Sequence, residues 1–156
     1  MKKKIEARVT HRFSCKPERV YDAWLDPNKI RVWMAKALQS HGLEGDIRRI
    51  DVDPRVGGKF FFSDMREGGE ACHWGSYLEL DRPHRIVFTW VVDESQEEDP
   101  SKVALSITPD GEGCVVTIVH EMDAEWSDYV ERTEAGWSRM LAAVEDVVAK
   151  WGNASL

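Results

Sequence analysis

Cysteine is scarce in this chain and never paired: Cys15, Cys72 and Cys114 stand far apart, with no C-x-x-C to hold zinc or run a redox exchange. The pattern reads as three reduced thiols, two of them packed in strands, and suits a reducing cytosol. None of the five histidines, His11, His41, His73, His84 and His120, has another at helical i, i+4 spacing, so no metal site is indicated. Also missing are G-x-S-x-G, a phosphate-cradling glycine loop before Lys-Ser or Lys-Thr, and a dinucleotide fingerprint. Hydrolase, NTPase and oxidoreductase readings thereby lose the parts they require, and no cofactor is expected.

Basic charge is in deficit, with a net charge of −7. A protein that works by neutralising phosphates needs clustered Lys and Arg, so nucleic acid is not an expected partner. Lys2-Lys3-Lys4 is too short for a polybasic membrane signal, and no apolar run reaches even signal-peptide length. Neither secretion nor a membrane partner is expected, and the expected location is cytoplasmic. With 156 residues, 42% hydrophobic and 31% charged, the chain suits one domain over 1–156 with one core.

What is present is turn punctuation and apolar alternation. Asp26-Pro27, Asp53-Pro54, Gly57-Gly58, Gly68-Gly69, Arg82-Pro83, Asp99-Pro100 and Asp110-Gly111 divide the chain. Between Gly57 and Glu121 the pieces are strand-length and rich in Val, Ile, Phe, Tyr, Trp and Thr, an antiparallel meander with room for five strands. Ile5 to Phe13 alternates an apolar face against Glu6, Arg8, Thr10 and Arg12, as a half-buried strand does. Pro17 suits the first turn of a helix that carries Val20, Tyr21, Trp24 and Leu25 and ends at Asp26-Pro27. A second short helix follows with Ile30, Trp33 and Met34 on one face, then a strand over Ile47 to Asp53.

The strands expected next are one holding Phe60 and Phe62, then Ala71–Leu80, Arg85–Val92, Lys102–Thr108 and Cys114–Glu121. Their inward sets are Ile86, Phe88 and Trp90; Val103, Leu105 and Ile107; and Val116, Ile118 and His120. From Glu125 the period changes from two to about 3.6. Trp126, Tyr129, Val130, Thr133, Trp137, Met140, Leu141, Val144, Val147, Val148 and Trp151 then form one stripe. The opposite side carries Asp128, Glu131, Arg132, Glu134, Arg139, Glu145 and Asp146. A single helix of about 25 residues, near 38 Å long, is expected. Only the sheet face can cover such a stripe, which gives an α+β fold: a curved antiparallel sheet of about six to seven strands wrapped around a long C-terminal helix, with two short helices after the first strand.

This order carries particular residues: Pro17-Glu18-Arg19-Val20-Tyr21-Asp22-Ala23-Trp24 before Asp26-Pro27, Val56-Gly57-Gly58-Lys59-Phe60, Gly75-Ser76-Tyr77-Leu78-Glu79-Leu80, Pro83-His84-Arg85-Ile86-Val87-Phe88-Thr89-Trp90, and Gly136-Trp137 before Met140-Leu141. Together they resemble the AHSA1-like family of the START-like (SRPBCC) helix-grip superfamily. The resemblance implies a space between sheet and helix, either filled by side chains or left as a ligand cavity. Members similar to this chain are described as small-molecule carriers, as cyclase-like or stress-related proteins, and as modules that stimulate an Hsp90-type chaperone. Fold alone does not choose among them. The chaperone activators carry an additional domain, whereas this sequence ends at Leu156.

Seven tryptophans are a heavy aromatic load, and Trp33, Trp74, Trp90, Trp126 and Trp137 lie in segments bordering that space. Large aromatics either fill a core or wall a pocket, and a buried indole N–H asks for a partner that a polar ligand could supply. The expected ligand-binding walls are Trp33, Phe60, Phe62, Phe88, Trp90 and Trp126, with Trp137, Met140 and Leu141 on the helix. Met122 adds adaptable surface, and Tyr77 and His120 orient a ligand by hydrogen bonding. A satisfied structural role is the competing reading for His120.

His73, Tyr77 and Glu79 share strand parity, so they could point a base, a phenol and a carboxylate into the cavity, with His73 and Glu79 the weak catalytic candidates. Against this, Trp74, Leu78 and Leu80 make the alternate face the more apolar. The expected function is binding of a small hydrophobic or amphipathic molecule. The alternatives are a protein–protein module, chaperone-stimulating or regulator-binding, and a cyclase-like enzyme using the same cavity. An open sheet edge would give a homodimer a place to form, unless charge blunts it.

Overall fold

Proline and aspartate set the first elements. In the computed structural model, which describes residues 3–151 (side chains to 149), strand β1 (Lys4–Phe13) leads into helix α1 (Pro17–Leu25), with Pro17 in the first turn, where its missing N–H costs nothing. Asp26 both ends α1 and opens α2 (Pro27–Ser40), its side chain accepting from Asn28 N–H at 2.9 Å. The meander then runs through β2 (Asp46–Val52), β3 (Lys59–Arg66), β4 (Gly69–Asp81), β5 (Arg85–Trp90), β6 (Ser101–Asp110) and β7 (Gly113–Asp123). The seven strands form one antiparallel sheet in the order β1-β7-β6-β5-β4-β3-β2. The final helix, α3 (Val130–Trp151), lies in its grip.

Register places the inward residues in rows across the sheet. Val9, Ile118, Leu105 and Ile86 are successive partners, and so are His120, Val103 and Phe88 one row on. Against these rows α3 sets Trp137, Leu141, Val144 and Val148, spaced four, three and four residues apart, all buried. Each such side chain is worth roughly 1.5–3 kcal/mol of burial. Both open edges are blunted. The Arg8 N–H on the outer side of β1 donates to a Glu134 carboxylate oxygen of α3 at 2.9 Å, and β2 carries Asp46, Arg48, Arg49 and Asp51.

Two expectations are corrected here. The C-terminal segment is not one rod from Glu125: Ala124–Tyr129 is a 3-10 turn, Trp126 has non-helical φ/ψ of −94° and 18°, and the α-helix begins only at Val130. In a 3-10 turn residues i and i+3 eclipse. Trp126 and Tyr129 therefore pack against each other at a tilt, with centroids 5.4 Å apart, and do not join the 3.6-residue stripe; they stand 42% and 43% exposed. The helix is 22 residues long, and the side chain of Trp151, assigned above to its stripe, lies outside those described.

The second correction concerns β4, whose strict alternation fails. Tyr77 pairs with Phe88, but Glu79 pairs with Val87 and Leu80 with Ile86, so a β-bulge lies between Tyr77 and Glu79. It leaves Tyr77 and Leu80 against the core and sends Glu79 to the outer face, where its carboxylate meets Arg85 at 3.2 Å. Trp74 is also on the outer face, stacked on Phe61 and donating to Glu97. Gly75 between them is required by close approach: a Cβ there would lie 2.0 Å from the Thr89 carbonyl oxygen.

Candidate functional site

Between sheet and helix the aromatic side chains pack on one another. Phe60 lies 5.0 Å from Phe62, 5.4 Å from Tyr77 and 6.1 Å from Trp90, ring centre to ring centre, and Trp137 of α3 closes the cluster 5.3 Å from Trp90. The space they leave is about 20 Å³, room for about one water. Trp33, Phe60, Phe62, Tyr77, Phe88, Trp90, Trp137 and Met140 all border it. So do Trp24, Met34 and Ile86, which sequence reasoning did not place there although Trp24 and Met34 stood on recognised helix faces. Trp33 donates its N–H to the Ala23 carbonyl at 2.8 Å, while the buried Trp24 indole N–H has no partner among the described residues.

Outside this void an open cleft of about 500 Å³ lies between α2, the first turns of α3 and the ends of β3 to β5. Met34, Trp90, Trp137 and Met140 belong to both walls, so four side chains separate the cleft from the void. Two of them are methionines, which change rotamer at little cost. The cleft also holds His73, stacked on Trp90 with ring centres 5.0 Å apart, and the buried Asp64, whose two carboxylate oxygens accept from Arg66 at 2.8 and 3.2 Å. Desolvation, and then the Arg66 charge, lowers the His73 pKa to about 4, so its imidazole is neutral near pH 7.

His120 is committed to structure. Trp137 Nε1–H donates to its Nδ1 at 3.0 Å, which places the imidazole proton on Nε2, and that N–H donates to Ser101 Oγ at 2.9 Å. Ser101 in turn donates to the Trp90 carbonyl at 2.8 Å. Both ring nitrogens are thus used within the protein, and burial lowers the pKa to about 4. The ring is a neutral link between strand and helix.

Other expected site residues disperse. Leu141 is fully buried in the core, and Met122 and Trp126 line an adjoining depression that shares Trp90, His120 and Tyr129 with the cleft. The acid–base set is not assembled: Tyr77 borders the inner void, His73 the cleft, and Glu79 neither. Burial raises the Tyr77 phenol pKa and pushes the Cys114 thiol up to about 11, so neither ionises near neutrality.

The cleft contains residues that sequence periodicity assigned to the wet side of α3. Arg132 and Arg139 line it together with Gly136, which falls between them. A Cβ built on Gly136 meets nothing within 4 Å, so the helix presents bare backbone to open space. Glycine inside a helix costs about 1 kcal/mol relative to alanine, and nothing around it demands that cost. Gly136→Ala is expected to raise the unfolding free energy by about 0.5–1 kcal/mol in urea titrations; a loss instead would mean the cleft wall is tighter than described.

No helix among the described residues is long and apolar enough to cross a membrane. No curated protein matches the chain. Among solved structures it is similar to protein CV1439 from Chromobacterium violaceum, with 25% identity, a TM-score of 0.76, and 92% of this chain and 96% of that one covered. Protein SA2116 of unknown function from Staphylococcus aureus superposes with a TM-score of 0.79 at 15% identity, covering 97% and 98% of the two chains. The AHSA1-like protein from Aeromonas hydrophila does so with a TM-score of 0.73 at 23% identity, covering 95% and 94%; these two likenesses concern the fold. The model for activator of Hsp90 ATPase homolog 1-like proteins matches residues 14–149, and the chain belongs to that family.

Proposed function

We propose that this protein binds a small hydrophobic or amphipathic molecule in the cleft, its apolar end taking the volume that Met34 and Met140 vacate beside the inner void when they move aside. The observation that carries the reading is the aromatic floor formed by Trp90 and Trp137 under an open volume of about 500 Å³, within the size of small-molecule sites. The partnerless Trp24 N–H beside the void offers a donor to any ligand oxygen that reaches it. Trp33, Phe60, Phe62, Tyr77 and Phe88 would then meet the deepest part of the ligand. A reaction is disfavoured: His73 is neutral and stacked on Trp90, the carboxylate that shares its cleft, Asp64, is bonded through both oxygens to Arg66, and Glu79 is on the other side of the sheet.

The test is a thermal-shift and tryptophan-fluorescence screen with lipid, aromatic and polyketide-like compounds, run on wild type and Gly136→Leu. The leucine side chain enters open space, so the variant is expected to fold as wild type and to lose the hits. A flat response across the panel, or hits that survive Gly136→Leu undiminished, would sink the proposal.

The exposed Trp126, Tyr129 and Val92 favour a second reading, contact with another protein. Its chaperone version is tested by the ATPase rate of an Hsp90-type chaperone with this protein added; an unchanged rate removes it.

A further inference from the structure

The cleft has a sign of charge opposite to that of the protein. The chain carries a net charge of −7, yet the charged side chains lining the cleft are Arg66, Arg132 and Arg139 against Asp64 alone. Asp64 is already satisfied: Arg66 bonds both its oxygens. Arg132 and Arg139 remain. The Arg132 guanidinium lies over the Tyr129 ring at 5.2 Å, and neither arginine has a carboxylate partner among the described residues; the nearby Glu134 accepts from the Arg8 backbone N–H of β1.

Seven residues separate the two arginines, two helical turns or about 10 Å, so they stand on one side of α3 with the bare Gly136 backbone between them. Below them the wall is apolar, made of the Trp90 and Trp137 rings, tilted 56° to each other, with Met140 beside them. The neutral His73 is stacked on Trp90 and adds ring surface in place of charge. A planar guanidinium matches a carboxylate fork, and an aromatic and methionine wall matches an apolar body.

We propose that the cleft selects an organic anion of amphipathic shape: a carboxylate joined to an apolar body, the carboxylate taken by Arg132 and Arg139 and the body packed against Trp90, Trp137 and Met140. This rests on the proposed small-molecule site and names the class of its ligand. The arginines supply orientation, holding the charged end at the mouth while the apolar end faces the void. Their charge also draws the anion toward a protein whose remaining surface repels it.

The experiment compares 4-(1-pyrenyl)butyrate with 4-(1-pyrenyl)butanol, equal in length and ring system and different in charge, read by energy transfer from tryptophan to pyrene. Wild type is expected to bind the acid at least about ten-fold more tightly than the alcohol, the yield of a charge-assisted hydrogen bond. Arg132→Gln/Arg139→Gln is expected to lose that preference, the acid-to-alcohol affinity ratio falling close to one, and Arg132→Lys/Arg139→Lys to regain most of it. Equal binding of acid and alcohol by wild type, or a preference that survives the double glutamine variant with its melting temperature intact, overturns the inference and leaves the binding site standing. Failure of both probes to bind overturns the site reading and this inference together.

Discussion

Trp137→Ala will lower the unfolding free energy by about 3–5 kcal/mol, the loss typical when a buried tryptophan is cut back to alanine. Trp137 is 4% exposed and its ring packs on Trp24, Phe88 and Trp90 at 6.3, 6.4 and 5.3 Å. Its removal also leaves the His120 Nδ1 lone pair buried without a donor. Trp137→Phe separates the two contributions. It keeps most of the ring and deletes the N–H, and is expected to cost about 1–3 kcal/mol. Urea titration at pH 7.5 with both variants reads these values. Should Trp137→Ala lie within 1 kcal/mol of wild type, the helix is not packed on the sheet through this residue. Because Trp137 also divides void from cleft, the proposed binding site predicts that the alanine variant takes longer or bulkier probes than wild type.

Acid will destabilise the protein well before most carboxylates protonate. His120 has a folded pKa lowered from 6.5 to about 4 by desolvation. Between those values the unfolded chain binds a proton that the folded chain refuses, so stability rises with pH across that window. The contribution is fully present above about 6.5 and is lost as pH falls to about 4, at a cost of about 3 kcal/mol. His73 acts in the same direction, through desolvation first and Arg66 second, with a share reduced by its partial exposure. His120→Gln replaces the ring with an amide that has a donor and an acceptor but does not titrate. It is expected to be less stable at pH 7.5 and to flatten the slope between pH 6.5 and 4 by close to one proton. A slope identical to wild type would show that the imidazole is not the group being protonated.

Sequence patterning reached the fold because the elements that define it obey a single period over most of their length. The inward sets of β5, β6 and β7 are buried where alternation put them, and Asp26-Pro27 marks the junction of two helices. It failed where the backbone changes period within an element. The bulge after Tyr77 turned Glu79 outward, and the 3-10 turn took Trp126 and Tyr129 off the helical stripe. Nothing in residue type announces either event: Leu78 and Leu80 are equally plausible inward residues, and only one is.

The cleft was less legible for a different reason. A two-sided picture of α3, oily against wet, groups the exposed Arg132 and the half-buried Arg139 with the wet side and has no place for a third side that borders a cleft. The signal that could have separated them is Gly136, a glycine inside a long helix with no turn to make. The role of His120 was equally out of reach, since its partners Trp137 and Ser101 lie 17 and 19 residues away and meet it only through the pairing of β6 with β7 and the docking of α3.

That third side has an evolutionary consequence. Arg132, Gly136 and Arg139 occupy positions of α3 that carry none of the weight borne by Leu141, Val144 and Val148. On the proposed reading of the cleft, recognition would drift toward new molecules by changes at the rim, one side chain at a time, while the anchored length of the same helix keeps the scaffold intact.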